Sequence, residues 1–238
     1  MPSLGGKTAV VTGASRGIGA GISEALGRKG VRVVLVARTE AKLKERSASL
    51  KGSIPIVCDV TRPDSVEKAA KRITSELKRA PDILVNNAGI FGVSTVDETS
   101  TEFFIDTINT NLVGPFLLVR AFLGEMKKRK TGHIITMGSV ADRTIYTGNA
   151  AYSAAKFGVR AIHEVLRAEL RGTGVRATLV SPAATDTEIW NTVSVTDPAG
   201  KPHSKRPMLD PEDVVRAVMF ALTQPKDVNI DELRLSHS

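Results

Sequence analysis

Residues 8–19 read TAVVTGASRGIG. A short β-branched run, TAVVTG, ends in a glycine-rich turn that leads directly into the amphipathic stretch Ile18 to Lys29. The turn has glycines at positions 13, 17 and 19, in the order G-x-x-x-G-x-G, a spacing different from the G-x-G-x-x-G of the common dinucleotide fingerprint. A strand, a glycine turn and a helix in succession suit a phosphate cradle. Gly13 permits the tight turn, Gly17 a close approach of backbone to a pyrophosphate, and Gly19 close helix packing. The helix N-terminus then faces the phosphates with its unpaired N–H groups. Ser15 and Ile18, inside the same turn, complete this part of the expected cofactor site.

The same alternation runs outward through the chain. Short apolar runs at 8–13, 32–38, 54–60, 82–88, 133–139 and 176–182 read as strands buried on both faces. Between them lie helical patterns over Ile18 to Lys29, Glu40 to Leu50, Pro63 to Arg79, Glu102 to Arg129, Ala151 to Arg171 and Pro211 to Thr223. The tail at 228–236 offers a short further strand. Strict βα alternation predicts an α/β fold: a single-domain, Rossmann-like, doubly wound parallel sheet of six to seven strands, with helices on both faces. No repeat or linker divides residues 1–238, so one domain is expected. The polar, Gly- and Pro-containing segment at 188–208 reads as a lid over the site.

With 238 residues and 42% hydrophobic content, the chain can bury one large core. A lone cysteine, Cys58, excludes an internal disulfide and a cysteine-ligated metal site. The four histidines lack metal-ligand spacing and read as surface or loop residues; no metal is expected. The opening residues contain no apolar run of signal-peptide length and no stretch suits a membrane span, which predicts a cytoplasmic protein. A net charge of +8 favours a polyanionic partner. Aromatics are only 4%, and no nucleic-acid-binding motif is present, so that partner is read as a phosphorylated cofactor and not nucleic acid.

About 20 residues beyond the glycine turn, an NAD site places an acidic side chain for the ribose hydroxyls. Here the position is Arg38, whose forked donors suit a 2′-phosphate, with Arg16 of the glycine turn on the other side. That pair selects NADP. Asp59, ending the third strand, suits the adenine amino group, with Val60 beside the ring. The fourth strand ends in NNAG, where Asn87 and Ala88 approach the cofactor and Gly89 lets the backbone pass the ribose.

Residues 149–158 read NAAYSAAKFG, which puts Lys156 one helical turn after Tyr152, on the same face. Together, TGASRGIG, NNAG, Asn111, Ser139 and YSAAK resemble the short-chain dehydrogenases/reductases in order and spacing over essentially the whole chain. The resemblance implies hydride transfer between a nicotinamide and a carbonyl or alcohol carbon, with Asn111, Ser139, Tyr152 and Lys156 catalytic. In physical terms, Tyr152 is the expected acid/base and Ser139 the donor to the substrate oxygen. Moving a phenol from about pH 10 to about pH 7 takes roughly 4 kcal/mol. An ammonium about 4 Å away supplies that much at an effective dielectric near 20, so Lys156 is expected to lower the phenol's pKa and to hold the ribose as well. Asn111 lies in INTNLVGPF, where Pro115 has no N–H for its carbonyl, leaving that oxygen for the relay water the resemblance implies.

After the sixth strand the family commonly reads P-G-x-x-x-T, the threonine holding the nicotinamide carboxamide. This chain reads PAATDT, with Pro182, Ala183 for the glycine, Thr187 as the expected ligand and Thr185 as second choice. Ala141, Ile145 and Trp190 are the expected substrate-pocket residues. The small-molecule substrate is read as a ketone, aldehyde or alcohol. A 3-oxoacyl thioester on an acyl carrier or coenzyme A is one alternative, drawn by the basic lid residues Lys201, His203, Lys205 and Arg206; a non-catalytic dinucleotide sensor is another. The helices from Glu102 and from Ala151 carry apolar stripes wider than a sheet face covers, which with the resemblance implies a homodimer or homotetramer.

Overall fold

The computed structural model of the chain describes residues 3–192 and 208–238. Among these, seven strands form one sheet in the order β3-β2-β1-β4-β5-β6-β7, every neighbouring pair parallel. The strands are β1 Thr8–Thr12, β2 Arg32–Ala37, β3 Ile54–Val57, β4 Ile83–Asn86, β5 Gly132–Met137, β6 Val175–Pro182 and β7 Glu232–Leu235. The order reverses between β1 and β4. That is the crevice in which a doubly wound sheet binds ligands.

Helices cover both faces, and the period of two along each strand decides which face each side chain serves. On β1, Val10 joins Leu84 and Ile134 in one core, packed under α3 (Pro63–Leu77), α5 (Gly114–Arg129) and α6 (Ala150–Glu169). Ala9 and Val11 join Val33, Leu35 and Val85 in the other, under α1 (Gly17–Arg28), α2 (Glu40–Ser49) and α7 (Pro211–Leu222). Burial on both faces is why these strands are continuous apolar runs. No helix among the described residues is long and apolar enough to cross a membrane.

The expected helix from Glu102 to Arg129 is not continuous. It is divided into α4 (Thr101–Ile108), a π turn over Asn109–Val113, and α5. Gly114 donates its N–H to the Asn109 carbonyl, a wider i to i+5 loop, and Pro115 opens α5. Pro115 has no N–H for the Asn111 carbonyl, so the tight ladder is interrupted there and the extra residue is accommodated as a π turn.

Two histidines correct the surface assignment. His133 on β5 and His163 on α6 are both buried; His237 is exposed, and His203 lies outside the described residues. His133 Nε2 pairs with Thr178 Oγ1 at 2.9 Å across to β6. Burial, with Arg176 and Lys7 adding like charge, pushes its pKa down to about 3. Burial also lowers His163, whose Nε2 meets the Asp231 carbonyl at 2.9 Å.

The unfolded chain therefore takes up a proton on His133 below its ordinary pKa of 6.5, which the folded chain refuses until about 3. Stability falls as pH drops through that window, by about 1.4 kcal/mol per pH unit for this one proton. Urea denaturation across the window should show the slope, and His133→Gln should flatten it by about one proton's worth; an unchanged slope would contradict the burial-driven neutrality of His133.

Candidate active site

The glycine turn is shaped by what lies against it. Gly13 and Gly17 have φ of +64° and +53°, in the left-handed region where a side chain is strained. A Cβ on Gly19 would lie 2.4 Å from both the Gly13 carbonyl oxygen and Asn87 Nδ2. Asn87 explains the crowding. Its Nδ2 donates to the Thr12 carbonyl at 2.9 Å, while the N–H groups of Asn87 and Ala88 donate to Thr12 Oγ1 at 2.9 and 3.0 Å. Thr12, read in the sequence only as the end of a strand, is thus the acceptor that ties β4 to the cofactor turn.

A second tie follows two residues on. Ile90 N–H donates to Asn111 Oδ1 at 2.9 Å, and Asn111 Nδ2 donates to the Ile90 carbonyl at 2.8 Å. Both polar atoms of the Asn111 side chain engage Ile90 in this pairing. Gly89 is the residue that admits it, since a Cβ there would lie 2.8 Å from Asn111 Oδ1.

One cavity of about 1340 Å³ runs over these ends, lined by Ser15, Arg16, Ile18, Arg38, Asp59 and Val60 at one end and Ser139, Tyr152 and Lys156 at the other. That exceeds the ~300–1,000 Å³ of a single small-ligand pocket and leaves room for two molecules side by side. The residues present fit a dinucleotide phosphate group. No side chain caps the N-terminus of α1 and no acidic residue stands in its first turn, so its N–H groups and positive pole face the cavity.

At the adenosine end, Asp59 Oδ1 accepts from Thr61 N–H and Oγ1 at 3.0 and 2.8 Å, which orients the carboxylate in an Asx turn. Arg16 and Arg38 are both exposed along the cavity, and Arg16 pairs with Glu188 at 3.3 Å. Lys42, on the first turn of α2, joins them; its position four residues after Arg38 was the available signal. Past β6, Ala183 takes the family's glycine place without strain: its φ is not positive, and its N–H donates to the Leu235 carbonyl at 2.8 Å. Thr185 and Thr187 both line the cavity; Thr185 Oγ1 donates to the Ala183 carbonyl at 3.0 Å, and Thr187 lies beside Gly17. Pro182 lines it too.

Tyr152 and Lys156 share a face of α6, with Nζ 5.5 Å from the phenol ring centre. The electrostatics depart from the sequence expectation. Burial pushes Tyr152 up to about 12, against a hydrogen bond from Ser139 and with the Asp142 carboxylate adding to the rise. Burial also pushes Lys156 down to about 8, opposed by Asp142. The net shift is upward for the phenol and downward for the ammonium because desolvation is the largest influence on each, and Nζ donates to the Met137 carbonyl at 2.7 Å.

Beside Tyr152 the cavity has an aromatic wall, of which the sequence reading named only Trp190. Phe91 lies edge-on to Tyr152 and to Trp190, each with ring centres 4.8 Å apart. Trp190 Nε1 donates to the Thr185 carbonyl at 2.9 Å, fixing the indole. Ala141 is buried against the cavity, and Ile145 stands exposed at its rim. Of the expected lid, 193–207 with Lys201, His203, Lys205 and Arg206 lies outside the described residues.

A family model described as short chain dehydrogenase matches residues 7–197. An uncharacterized oxidoreductase of Staphylococcus saprophyticus is 37% identical over 238 residues, 98% of each chain. Among solved structures, the closed form of a serine dehydrogenase complexed with NADP+ superposes with a TM-score of 0.89 at 34% identity, over 96% of this chain and 94% of that one. An alcohol dehydrogenase of the archaeon Thermococcus sibiricus, complexed with 5-hydroxy-NADP, gives 0.84 at 30% identity, over 96% and 95%.

Because Gly19 meets backbone on one side and the Asn87 amide on the other, Gly19→Ala must displace the cofactor turn. Nucleotide affinity, read by calorimetric titration, should fall about tenfold or more, a loss of at least ~1.4 kcal/mol. Affinity within twofold of wild type would show that the turn has slack the packing denies.

Proposed function

The chain belongs to the short-chain dehydrogenases, and we propose that within that family it is an NADPH-dependent reductase of ketones or aldehydes. The observation that carries this reading is the convergence of Ser139, Tyr152 and Lys156 with the glycine cradle in one cavity. When bound, NADPH supplies the hydride to the carbonyl carbon. Ser139 donates to the carbonyl oxygen, and Tyr152 gives that oxygen its proton. Burial pushes the phenol's pKa up, so Tyr152 carries its proton at neutral pH when the carbonyl arrives. Lys156 places positive charge beside the phenolate that proton transfer leaves behind. Asn111, its side chain fixed on Ile90, leaves its carbonyl free for the water that returns the proton.

The choice of NADPH rests on Arg16, Arg38 and Lys42 at the adenosine end, with arginine where an NAD site has an acid. The serine and alcohol dehydrogenases whose solved complexes carry NADP+ or an NADP derivative point the same way. The Phe91–Trp190 wall favours a carbonyl bearing an apolar group. Phe104 and Ile105 of α4, Phe116 of α5 and Phe157 of α6 stay exposed, and their burial in a two-fold pairing supports a homodimer or homotetramer.

Assaying a panel of aryl and alkyl ketones and aldehydes with NADPH and NADH in parallel tests the function. Turnover with NADPH is expected, and Tyr152→Phe should lower kcat about 100-fold or more with nucleotide affinity kept within a few-fold. A Tyr152→Phe variant that keeps most of its activity would remove the phenol from the chemistry.

Arg38→Asp removes a partner of the 2′-phosphate and adds an acceptor for ribose hydroxyls. NADPH affinity should fall roughly 10- to 150-fold while NADH binding improves. Equal wild-type affinity for the two nucleotides would defeat the NADPH assignment.

A further inference from the structure

The loop that carries Ser139 is anchored by a residue outside the catalytic set. Ser139, extended at φ −171°, caps a short 3-10 turn over Val140–Asp142. Its Oγ accepts the Ala141 N–H at 3.1 Å, and its carbonyl accepts the Asp142 N–H at 2.9 Å. Asp142 reaches back, its Oδ2 3.5 Å from the Ser139 N–H, closing a capping box. With one acceptor site of Oγ occupied by Ala141, the serine hydroxyl hydrogen remains to be donated into the cavity that Tyr152 also lines.

The carboxylate is itself held from two further strands. Ser181 Oγ on β6 donates to Asp142 Oδ2 at 2.5 Å, and Arg143 Nε donates to Oδ1 at 2.7 Å. Arg143 also pairs with Glu232 on β7. Asp142 has no exposed surface. Gly138 leaves room for the Ser181–Asp142 contact, because a Cβ there would lie 2.4 Å from Ser181 Oγ and 2.8 Å from Asp142 Oδ2. A buried charge of this kind persists only where it is paired and hydrogen-bonded, as these three donors provide.

We propose, resting on the acid role of Tyr152 above, that Asp142 is a positioning residue of this active site: its buried carboxylate, tied to β6 through Ser181 and to β7 through Arg143, fixes Ser139 and sets a negative charge beside the Tyr152–Lys156 pair. Among the described residues, the charged groups facing it are Arg143 beside it, Glu232 beyond Arg143, and Lys156 on α6; Tyr152 is the remaining titratable neighbour. Its charge raises both Tyr152 and Lys156. It favours the protonated form of both groups.

Asp142→Asn keeps the shape and removes the charge. In NADPH-dependent reduction, kcat should fall about tenfold or more with nucleotide affinity within about threefold, and the alkaline fall of kcat should move down by about one pH unit. Asp142→Glu should return that limb towards the wild-type pH even where its extra methylene keeps kcat low. An Asp142→Asn enzyme with kcat within twofold and an unmoved limb overturns the proposal, as does a loss matched by an equal loss of nucleotide affinity.

Should Asp142→Asn fail to fold, Ser181→Ala leaves the charge and removes its hold on β6; a several-fold lower kcat with the limb in place is then expected, and unchanged kcat is contrary. If no carbonyl turns over, the function reading fails by itself, and the inference is read another way. The chain has two tyrosines, so a Tyr146→Phe background leaves Tyr152 as its single phenol. Ultraviolet titration of its phenolate, with and without Asp142→Asn, should show the same downward shift; coincident titrations overturn the proposal.

Discussion

The site hangs on the bonds that tie the ends of β1 and β4 together where the strand order reverses. Thr12 accepts two backbone N–H groups at its hydroxyl and the Asn87 amide at its carbonyl. A crevice between diverging strand ends has backbone groups that the ladder no longer satisfies, and a side chain must do so. Once Asn87 occupies that space, Gly13 and Gly19 are forced to be glycine, because a Cβ on either would run into it. The same segment then grips Asn111 through Ile90. The cofactor turn, the end of β4 and the π turn are therefore one hydrogen-bonded unit, and a shift in one is passed to the others.

Around the Tyr152 phenol and the Lys156 ammonium, burial and charge oppose one another. Desolvation alone drives the phenol up and the ammonium down, so that each favours its neutral form. The Asp142 carboxylate acts on the two differently. It holds charge on the lysine and withholds it from the tyrosine. With no exposed surface, such a charge acts with little screening, and in the proposed mechanism it bears on proton transfer without meeting the substrate. The edge-on ring of Phe91 seals the phenol's other side and at the same time shapes the space where a substrate's apolar part would lie.

The architecture was legible in the chain because its signals are local. A strand buried on both faces must be a continuous apolar run, and each of the six runs became a strand, with the tail adding β7. The glycine turn follows from conformational freedom that other residues lack, and Tyr152 and Lys156 share a face because a helix repeats every 3.6 residues. Pro115 announced an interruption, since a missing N–H is a property of the residue itself. Arg38 was legible as well, as a charge at the end of a strand whose place in the sheet was already known.

What the chain alone did not disclose depends on partners distant in sequence. The Ile90–Asn111 pairing spans 21 residues and the Ser181–Asp142 bond spans 39, and nothing near either residue marks the other. Phe91 became a wall only when α6 brought Tyr152 to one side of it and the short 3-10 turn over Glu188–Thr192 brought Trp190 to the other. His133 read as an ordinary polar residue until β6 placed Thr178 opposite it and closed the core around both. The balance at Tyr152 was misjudged for the same reason. Helical spacing set how near the ammonium stands, but the water removed from both groups is set by every element packed around them, and that sum exists only in the folded chain.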